Sequence, residues 1–375
     1  MNDPLLIIEY YRRGSLFFLI TTNYHKGCSS MKETFEKYIN SKTTDELKTE
    51  ISIVLIAHVY EPRGNRNAIQ LQCRDTERFS IDEFNDIYQG IVAAGFFVQN
   101  VFFNEIDFIS EYINKPKLFH ACIVFNLARN GLGNNKKTLI PAFCEMVGLP
   151  YTSSSSLTCA MCRNKHYFSA ILQSRKILVP KTWIVDEISH PLEGEIVIAK
   201  PCSESASQGI NISNISAYTS QLRQQYLGKD YIFQEFIDGD ECEVPIIAFG
   251  QDIIIFPPIG INLNSKAILD ESTSNSYDYT FYDLASKYPI NIISTIKDYA
   301  LKTFKTLGME IYGRVDFRIS RDGTPYVFDV STTPYTIKHS SFAYAFKTLN
   351  IQYSSIYEAV IIASAIRNGI YIDKN

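Results

Sequence analysis

The sequence predicts an α/β protein, α+β in part, with a parallel-sheet domain behind an N-terminal extension and antiparallel strand pairs further along the chain. Three observations lead to this. From Ile51 to Asn126, short β-prone runs alternate with amphipathic helical stretches in the order βαβαβ, the pattern of a parallel sheet with helices on its faces. Beyond Gly313, two alternating runs flank a turn dipeptide, as in an antiparallel hairpin. The chain has 375 residues, 46% of them hydrophobic and 13% aromatic, which is more apolar surface than one core of ordinary size absorbs.

In chain order, residues 1–50 form an extension of unassigned function, with two β-prone runs around Arg12-Arg13-Gly14 that could pair as a hairpin and a helical pattern from Met31 to Asn40. The run ISIVLIAHVY from Ile51 reads as a buried parallel strand. A helix over Ile81–Ala94, a strand over Phe96–Phe103, a helix over Ile106–Ile113 and a strand over Leu118–Asn126 complete that unit. A helix from about Lys137 to Val147 stops at the Gly148-Leu149-Pro150 break. The next unit holds a helix over Asn164–Gln173, the strand Glu195–Lys200, a polar loop over Pro201–Gly209 and the strand Tyr231–Ile237 with its turn Asp238-Gly239-Asp240. The remainder runs to a C-terminal helix over Ser354–Asn368. The resulting division is 1–50, 51–150, 151–240 and 241–375: an extension followed by three lobes.

Composition excludes several classes. With 36 basic against 40 acidic side chains, the formal charge of -4 argues against electrostatic binding of nucleic acid. The eight cysteines are scattered, without the spacing of a disulfide scaffold, so reduced thiols in a cytoplasmic protein are expected. Cys159 and Cys162 form a CxxC, but no second pair completes a zinc set, and ordinary packing is the better reading. The apolar pieces Leu5–Ile8 and Leu16–Ile20 are split by Glu9, Arg12 and Arg13, short of the roughly 20 residues that span a bilayer. No membrane partner is expected, and no basic segment precedes these runs to suggest a signal peptide.

The strongest local signal is GRVDFRISRDGTPYVFDVS, Gly313 to Ser331. Read with Asp322-Gly323 as a two-residue type I′ turn, it places Asp316 opposite Asp329 and Arg314 opposite Ser331 on one face. Val315, Phe317 and Ile319 would then meet Val330, Phe328 and Tyr326 on an apolar face. Two carboxylates about 4 Å apart repel by roughly 4 kcal/mol at an effective dielectric near 20, so a positive charge is expected between them. Arg314 is one candidate and a hard, oxygen-liganded divalent cation is the other; the bland alternative is a solvated hairpin face. Two further segments bear on the choice. Lys200 ends the apolar strand EIVIAK and precedes SESASQG, a small polar loop able to close backbone amides over phosphate. FQEFIDGDE, from Phe233, offers backbone hydrogen bonds to a flat base and a carboxylate to ribose hydroxyls.

Taken with these segments, the motifs GLPYTSSSSLTCAMCRNK (to Lys165), AKPCSESASQG, FQEFIDGDE, GRVDFRIS and FDVSTTPYTIKHSS (to Ser341) give the chain a close resemblance to ATP-grasp ligases of the D-alanine:D-alanine ligase family. The resemblance is firmest from Phe125 to the C-terminus and implies a three-lobed ATP-grasp fold: a pre-ATP-grasp domain over 51–150, a small lid domain over 151–240 and a large metal-bearing domain over 241–375. It implies ATP with Mg²⁺, two ions, and small carboxylate or amino-acid substrates; a homodimer is the family-level expectation. By resemblance, Lys165 and Lys200 contact phosphates, and the loop with Ser205 and Ser207 is the lid. Gln234, Glu235, Phe236 and Ile237 hold adenine, and Glu241 binds ribose. Asp316, Asp329 and Ser331 hold metal, and Arg314 steadies charge on the transferring phosphoryl group. Tyr335, His339 and Ser340 face substrate.

The same resemblance exposes departures. Asp329 and Ser331 stand where the family has Glu and Asn, Gln234 replaces a glutamate, Ala206 replaces a serine, and Tyr335 replaces a glycine beside the reacting carbonyl. Glu61 is the candidate for the N-terminal substrate glutamate, and Lys287 for the lysine of a substrate-covering loop within 275–289. The implied reaction joins a carboxylate to an amine through an acyl phosphate, by positioning and charge stabilisation without a histidine. A non-catalytic nucleotide-binding member, or a ligase for a natural-product or carrier-bound substrate, is the alternative. The loop GLGNNKKT, Gly131 to Thr138, resembles a phosphate loop, but Lys136 occupies a position where either glycine-rich pattern needs glycine.

Overall fold

The computed structural model describes residues 30–59, 77–131 and 133–371. The expected hairpin around Arg12-Arg13-Gly14 and the candidate Glu61 lie outside the described residues. Helices are α1 (30–39), α2 (Lys42–Glu50), α3 (Ile81–Ala93), α4 (Glu105–Asn114), α5 (Leu139–Val147), α6 (Ser156–Arg163), α7 (Lys165–Ser174), α8 (Ser220–Tyr226), α9 (Glu271–Ser276), α10 (Ile290–Thr306), α11 (Ser341–Thr348) and α12 (Ser355–Arg367).

The first sheet has the order β2 (Phe97–Phe102), β1 (Ser52–Ala57), β3 (Cys122–Leu127), all parallel. Its central strand is buried on both faces, and for that reason its sequence is a continuous apolar run. Ile53, Leu55 and Ala57 enter one core, while Val54 and Ile56 enter another with Phe108 and Ile140. Helix α3 follows where expected, fixed at its start by a reciprocal Ser80–Glu83 capping box.

The C-terminal helix α12 returns to this lobe and packs on α3 and β3. Tyr357 lies so close to Gly90 that a Cβ there would sit 2.1 Å from its ring. The extension is also drawn in: Phe35 on α1 is buried against Phe249, Phe256 and Phe346, with ring centroids 5.4–6.2 Å away. The described part of residues 1–50 is therefore structural packing for the C-terminal lobe and does not stand apart from it.

The second sheet is antiparallel in the order β4 (Thr182–Ile184), β7 (Tyr231–Glu235), β5 (Ile196–Pro201), β6 (Ile215–Ala217). The third runs β11 (Thr280–Asp283), β10 (Ile259–Asn262), β8 (Gly239–Phe249), β12 (Tyr312–Ser320), β13 (Pro325–Ser331), with β9 (Asp252–Ile255) on β8. Helices α7 and α10 cover its apolar face through Phe168, Leu172, Ile296 and Phe304.

The β12–β13 hairpin departs from expectation in a compensating way. The Ser320 N–H donates to the Thr324 carbonyl at 2.9 Å, and Gly323 alone in the turn has a positive φ, +88°. The loop therefore has three residues, with glycine in the left-handed position, rather than the two of a type I′ turn. This shifts the register by one, pairing Ile319 with Pro325 and Phe317 with Val327. A bulge at Phe328 then restores it, so that Asp316 lies opposite Asp329, Val315 opposite Val330 and Arg314 opposite Ser331. The expected core partners Phe328 and Tyr326 are replaced by Val327 and Pro325, and Phe328 is released to line the cleft.

Candidate active site

A cleft between the second and third sheets collects Lys165, Lys200, Ser205, Ser207, Gln234–Ile237, Glu241, Arg314, Asp316, Asp329, Ser331 and Tyr335 in its wall. Lys200 sits at the end of β5, only 3% exposed. Among the described residues no carboxylate lies within ion-pair distance of it; the Phe328 ring is its neighbour, 5.4 Å from Nζ. Burial, and then the charge of Lys165, push its pKa down to about 7, with Asp329 and Glu241 opposing. Lys165 begins α7 behind the Asn164 cap and donates from Nζ to the Glu204 carbonyl.

The loop after β5 is held folded by ionic contacts that sequence reading missed. Glu204 pairs with Lys136 at 2.5 Å and Arg163 at 3.3 Å. The Ser205 hydroxyl donates to Glu77 at 2.8 Å and accepts from Arg163 at 2.6 Å. Glu77 is fully buried; burial opposes its ionisation, yet Arg163, Lys137 and Lys136 hold its carboxyl far below the usual range. Ala206 and Ser207 both adopt left-handed backbone, which turns the loop over the cleft.

On β7, Gln234 donates to the Thr182 hydroxyl at 2.9 Å. The N–H groups of Glu235 and Phe236 go to the Lys181 and Ile196 carbonyls at 2.8 and 3.1 Å, so they are engaged within the protein. Arg318 organises the turn beyond: it bonds the carbonyls of Ile237, Gly239 and Ala267 at 2.7, 2.9 and 3.0 Å and pairs with Glu241 at 2.5 Å. Burial raises the Glu241 pKa against that pairing.

The acidic rim spans three strands. Asp316 faces Asp329 on one side and Glu243 on the other. Arg314 clamps both Asp316 oxygens at 2.7 Å and reaches Glu243 at 3.2 Å. Of the two counter-charges the sequence left open, arginine is thus in contact with Asp316. It does not balance the rim: burial, together with Glu243 and Asp329, pushes the Asp316 pKa up to about 8 despite Arg314. Among the described residues no cluster of three or more His, Cys, Asp or Glu side chains forms a ready-made metal cage. Asp316, Asp329 and Ser331 offer oxygen donors only, and the raised Asp316 pKa marks a carboxyl that needs further positive charge to ionise, which fits a hard cation that keeps phosphate oxygens and water as its other ligands.

His339 and Ser340 line a second cavity, which shares Tyr335, Arg314 and Glu243 with the first. The His339 ring sits among Tyr277, Tyr279 and Phe281, with Nε2 buried and without a hydrogen-bond partner among the described residues, and burial lowers its pKa. Ser340 caps α11, donating to the Ile337 carbonyl at 2.6 Å and accepting from the Ala343 N–H at 3.1 Å. Lys287 is not brought to the cleft; it pairs at the surface with Asp240 at 2.6 Å. Cys159 and Cys162 are buried thiols whose pKa values burial raises, in keeping with packing. Of the residues that sequence reading missed, Arg318 was within reach, since it continues the alternation of Arg314 and Asp316. Glu243 was not, because the pairing of β8 with β12 joins segments some seventy residues apart.

Comparison with known proteins agrees with this architecture. The family model described as D-ala D-ala ligase C-terminus matches residues 167–362, just over half of the chain. The D-alanine–D-alanine ligase of Marinomonas sp. (strain MWYL1) is 28% identical over 253 residues, 64% of this chain and 77% of its own length. D-alanine–D-alanine ligase B of Clostridium perfringens is 27% identical over 250 residues, 60% of this chain and 75% of its own. In structure, the ATP-complexed D-alanine–D-alanine ligase of Bacillus anthracis superposes with a TM-score of 0.63 at 18% identity, over 85% of this chain and 99% of that one. The VanG D-Ala:D-Ser ligase of Enterococcus faecalis does so with a TM-score of 0.61 at 16% identity, over 86% and 100%.

Proposed function

The chain belongs to the D-alanine–D-alanine ligase C-terminus family, and from that premise we propose how its cleft works as an ATP-dependent carboxylate–amine ligase. The observation that carries the reading is Lys200: a buried amine with no carboxylate partner among the described residues, in a cleft whose three adjoining carboxyls, Glu243, Asp316 and Asp329, meet the single guanidinium of Arg314. A polyphosphate with its metal resolves both imbalances at once. Lys165 and Lys200 would hold phosphates, and Gln234, Ile237 and Glu241 the nucleoside. Asp316, Asp329 and Ser331 would hold Mg²⁺, two ions being the number we infer. Mg²⁺, when bound, neutralises charge on the phosphates.

The chain's own residues do the rest by position. The loop with Ser205 and Ser207 excludes water from the phosphates, and Arg314 offers its cation to charge building on the transferred group. A substrate carboxylate takes the γ-phosphoryl group, giving an acyl phosphate and ADP. An amine then attacks the acyl carbon, loses a proton and expels phosphate. Tyr335, His339 and Ser340 border the space for these substrates, which are small amino acids or related carboxylates. For Ser340 to bind a substrate carboxylate, its hydroxyl must leave the Ile337 carbonyl. Among the described residues no helix is long and apolar enough to cross a membrane, and a cytoplasmic location is our reading.

The test is phosphate release from ATP and Mg²⁺ over D- and L-amino acids, singly and in pairs. Turnover with some pair, abolished in Asp316→Asn, is expected. Nucleotide binding with no turnover across the panel would replace the ligase by a non-catalytic nucleotide-binding protein.

A further inference from the structure

Most cations around the cleft have a counter-charge or a role. Lys136 and Arg163 pair with Glu77 and Glu204, Arg314 with Asp316, and Arg318 with Glu241, while Lys165 and Lys200 face the phosphates in the reading above. Arg129 and Lys137 make no ion pair among the described residues, although Lys137 lies near enough to Glu77 to favour its ionised form. Arg129, just after β3, is 3% exposed, and its guanidinium lies 4.8 Å from the ring centres of both Phe79 and Tyr335. Among the described residues its Nε and Nη2 are buried without a hydrogen-bond partner, and no carboxylate stands within ion-pair distance. Lys137 is 8% exposed and likewise has no ion pair among the described residues. Its backbone has a φ of +66°, tied to Asn130 by the Lys137 N–H at 3.2 Å. Both side chains line the cleft beside Thr333, whose buried Oγ1 also lacks a partner.

Nε and Nη2 form the edge of a guanidinium that takes a carboxylate bidentately. Two flanking rings fix its plane, and a bare buried guanidinium is costly unless something anionic arrives. Tyr335 also lines the second cavity, so this edge belongs to the substrate end of the cleft.

Resting on the ligase reading above, we propose that the acyl-donating substrate carries a second carboxylate, besides the one that is activated, and that Arg129 with Lys137 is its seat. The nucleotide γ-phosphate is the other anion that could reach these cations, and the test separates the two.

Phosphate release is measured with dicarboxylic donors (D- and L-aspartate, D- and L-glutamate, succinate) against monocarboxylic counterparts (D- and L-alanine, butyrate), each with an amine panel. Binding of the same acids to the ADP–Mg²⁺ complex is followed by calorimetry. We expect a dicarboxylic donor to be preferred. We expect Arg129→Gln to lower its kcat/KM and its binding roughly 10- to 100-fold, to leave KM for ATP within about twofold, and Arg129→Lys to recover part of the loss. Lys137→Gln should do the same in smaller measure, and serves if Arg129→Gln does not fold. Turnover that favours monocarboxylic donors, or a loss in Arg129→Gln that falls on ATP instead, overturns the proposal and leaves the ligase standing. Arg129-dependent dicarboxylate binding without phosphate release from any pair overturns the ligase and supports the seat.

Discussion

Removing the Lys200 charge should stabilise the ligand-free protein while destroying its affinity for nucleotide. The ammonium is 3% exposed, without an acidic partner among the described residues, and its pKa falls from 10.5 to about 7. That depression corresponds to roughly 5 kcal/mol of instability, an upper figure for one buried group. Because the folded-state pKa lies below the unfolded one, the penalty is complete below pH 7, shrinks between pH 7 and 10.5, and vanishes above. Lys200→Met keeps the apolar stem against Phe328 and deletes the charge. Its ligand-free melting temperature should exceed wild type by several degrees at pH 6.5, with the gap closing towards pH 10. ATP with Mg²⁺ should raise the wild-type melting temperature and leave the variant unmoved. Nucleotide binding to wild type should also take up a proton above pH 7, seen as a buffer-dependent heat in calorimetry. A variant that melts below wild type at pH 6.5, or a gap that ignores pH, would refute the idea that this ammonium is stored uncompensated.

Three other perturbations follow from the geometry. Arg318→Ala leaves Glu241 buried without its partner and frees three carbonyls, so denaturant unfolding should show a loss of about 3–5 kcal/mol; a loss under 1 kcal/mol counts against the network. Gly90→Ala drives a methyl into the Tyr357 ring and should destabilise by about 1–3 kcal/mol, relieved in the double variant with Tyr357→Leu; no relief would mean that the α3–α12 crossing is not the cause. Glu204→Gln weakens the ties to Lys136 and Arg163, so amide exchange over residues 203–209 should quicken while β5 stays protected. Unchanged exchange there would show that the loop is held by its backbone turns alone.

The β12–β13 hairpin shows how a sequence pattern can give the right pairing for an incomplete reason. Asp322-Gly323 suggested a two-residue turn, and periodicity then placed Asp316 against Asp329. The chain in fact uses three loop residues, and only the bulge at Phe328 brings the aspartates back into register. Local composition identified the carboxylate pair because alternation survives on both strands. It could not identify the bulge, whose cause is tertiary: Phe328 leaves the core face and lies beside the Lys200 ammonium. Glu243 was equally hidden, since its place depends on which distant strand β8 chooses.

The lysines and the loop proposed here for phosphate were legible because glycine, lysine and small polar residues cluster locally in the chain. Of the residues proposed here for substrate, Tyr335, His339 and Ser340 were within reach of the sequence, whereas Arg129 and Lys137 were not, because they look ordinary there. The loop Gly131–Thr138 departs from a phosphate loop in having Lys136 where glycine is needed. Lys136 instead secures Glu204, while its neighbour Lys137 takes the left-handed backbone itself and lines the cleft. A lysine in a conformation that favours glycine is strained by about 1–3 kcal/mol, and neither charge nor hydropathy patterning shows such strain. Arg129 is likewise unremarkable until Phe79 and Tyr335, far apart in the chain, close on its two sides. If Arg129 seats the donor, donor preference should change on substitution at Phe79, which holds one face of that guanidinium and lies outside the segments proposed for nucleotide.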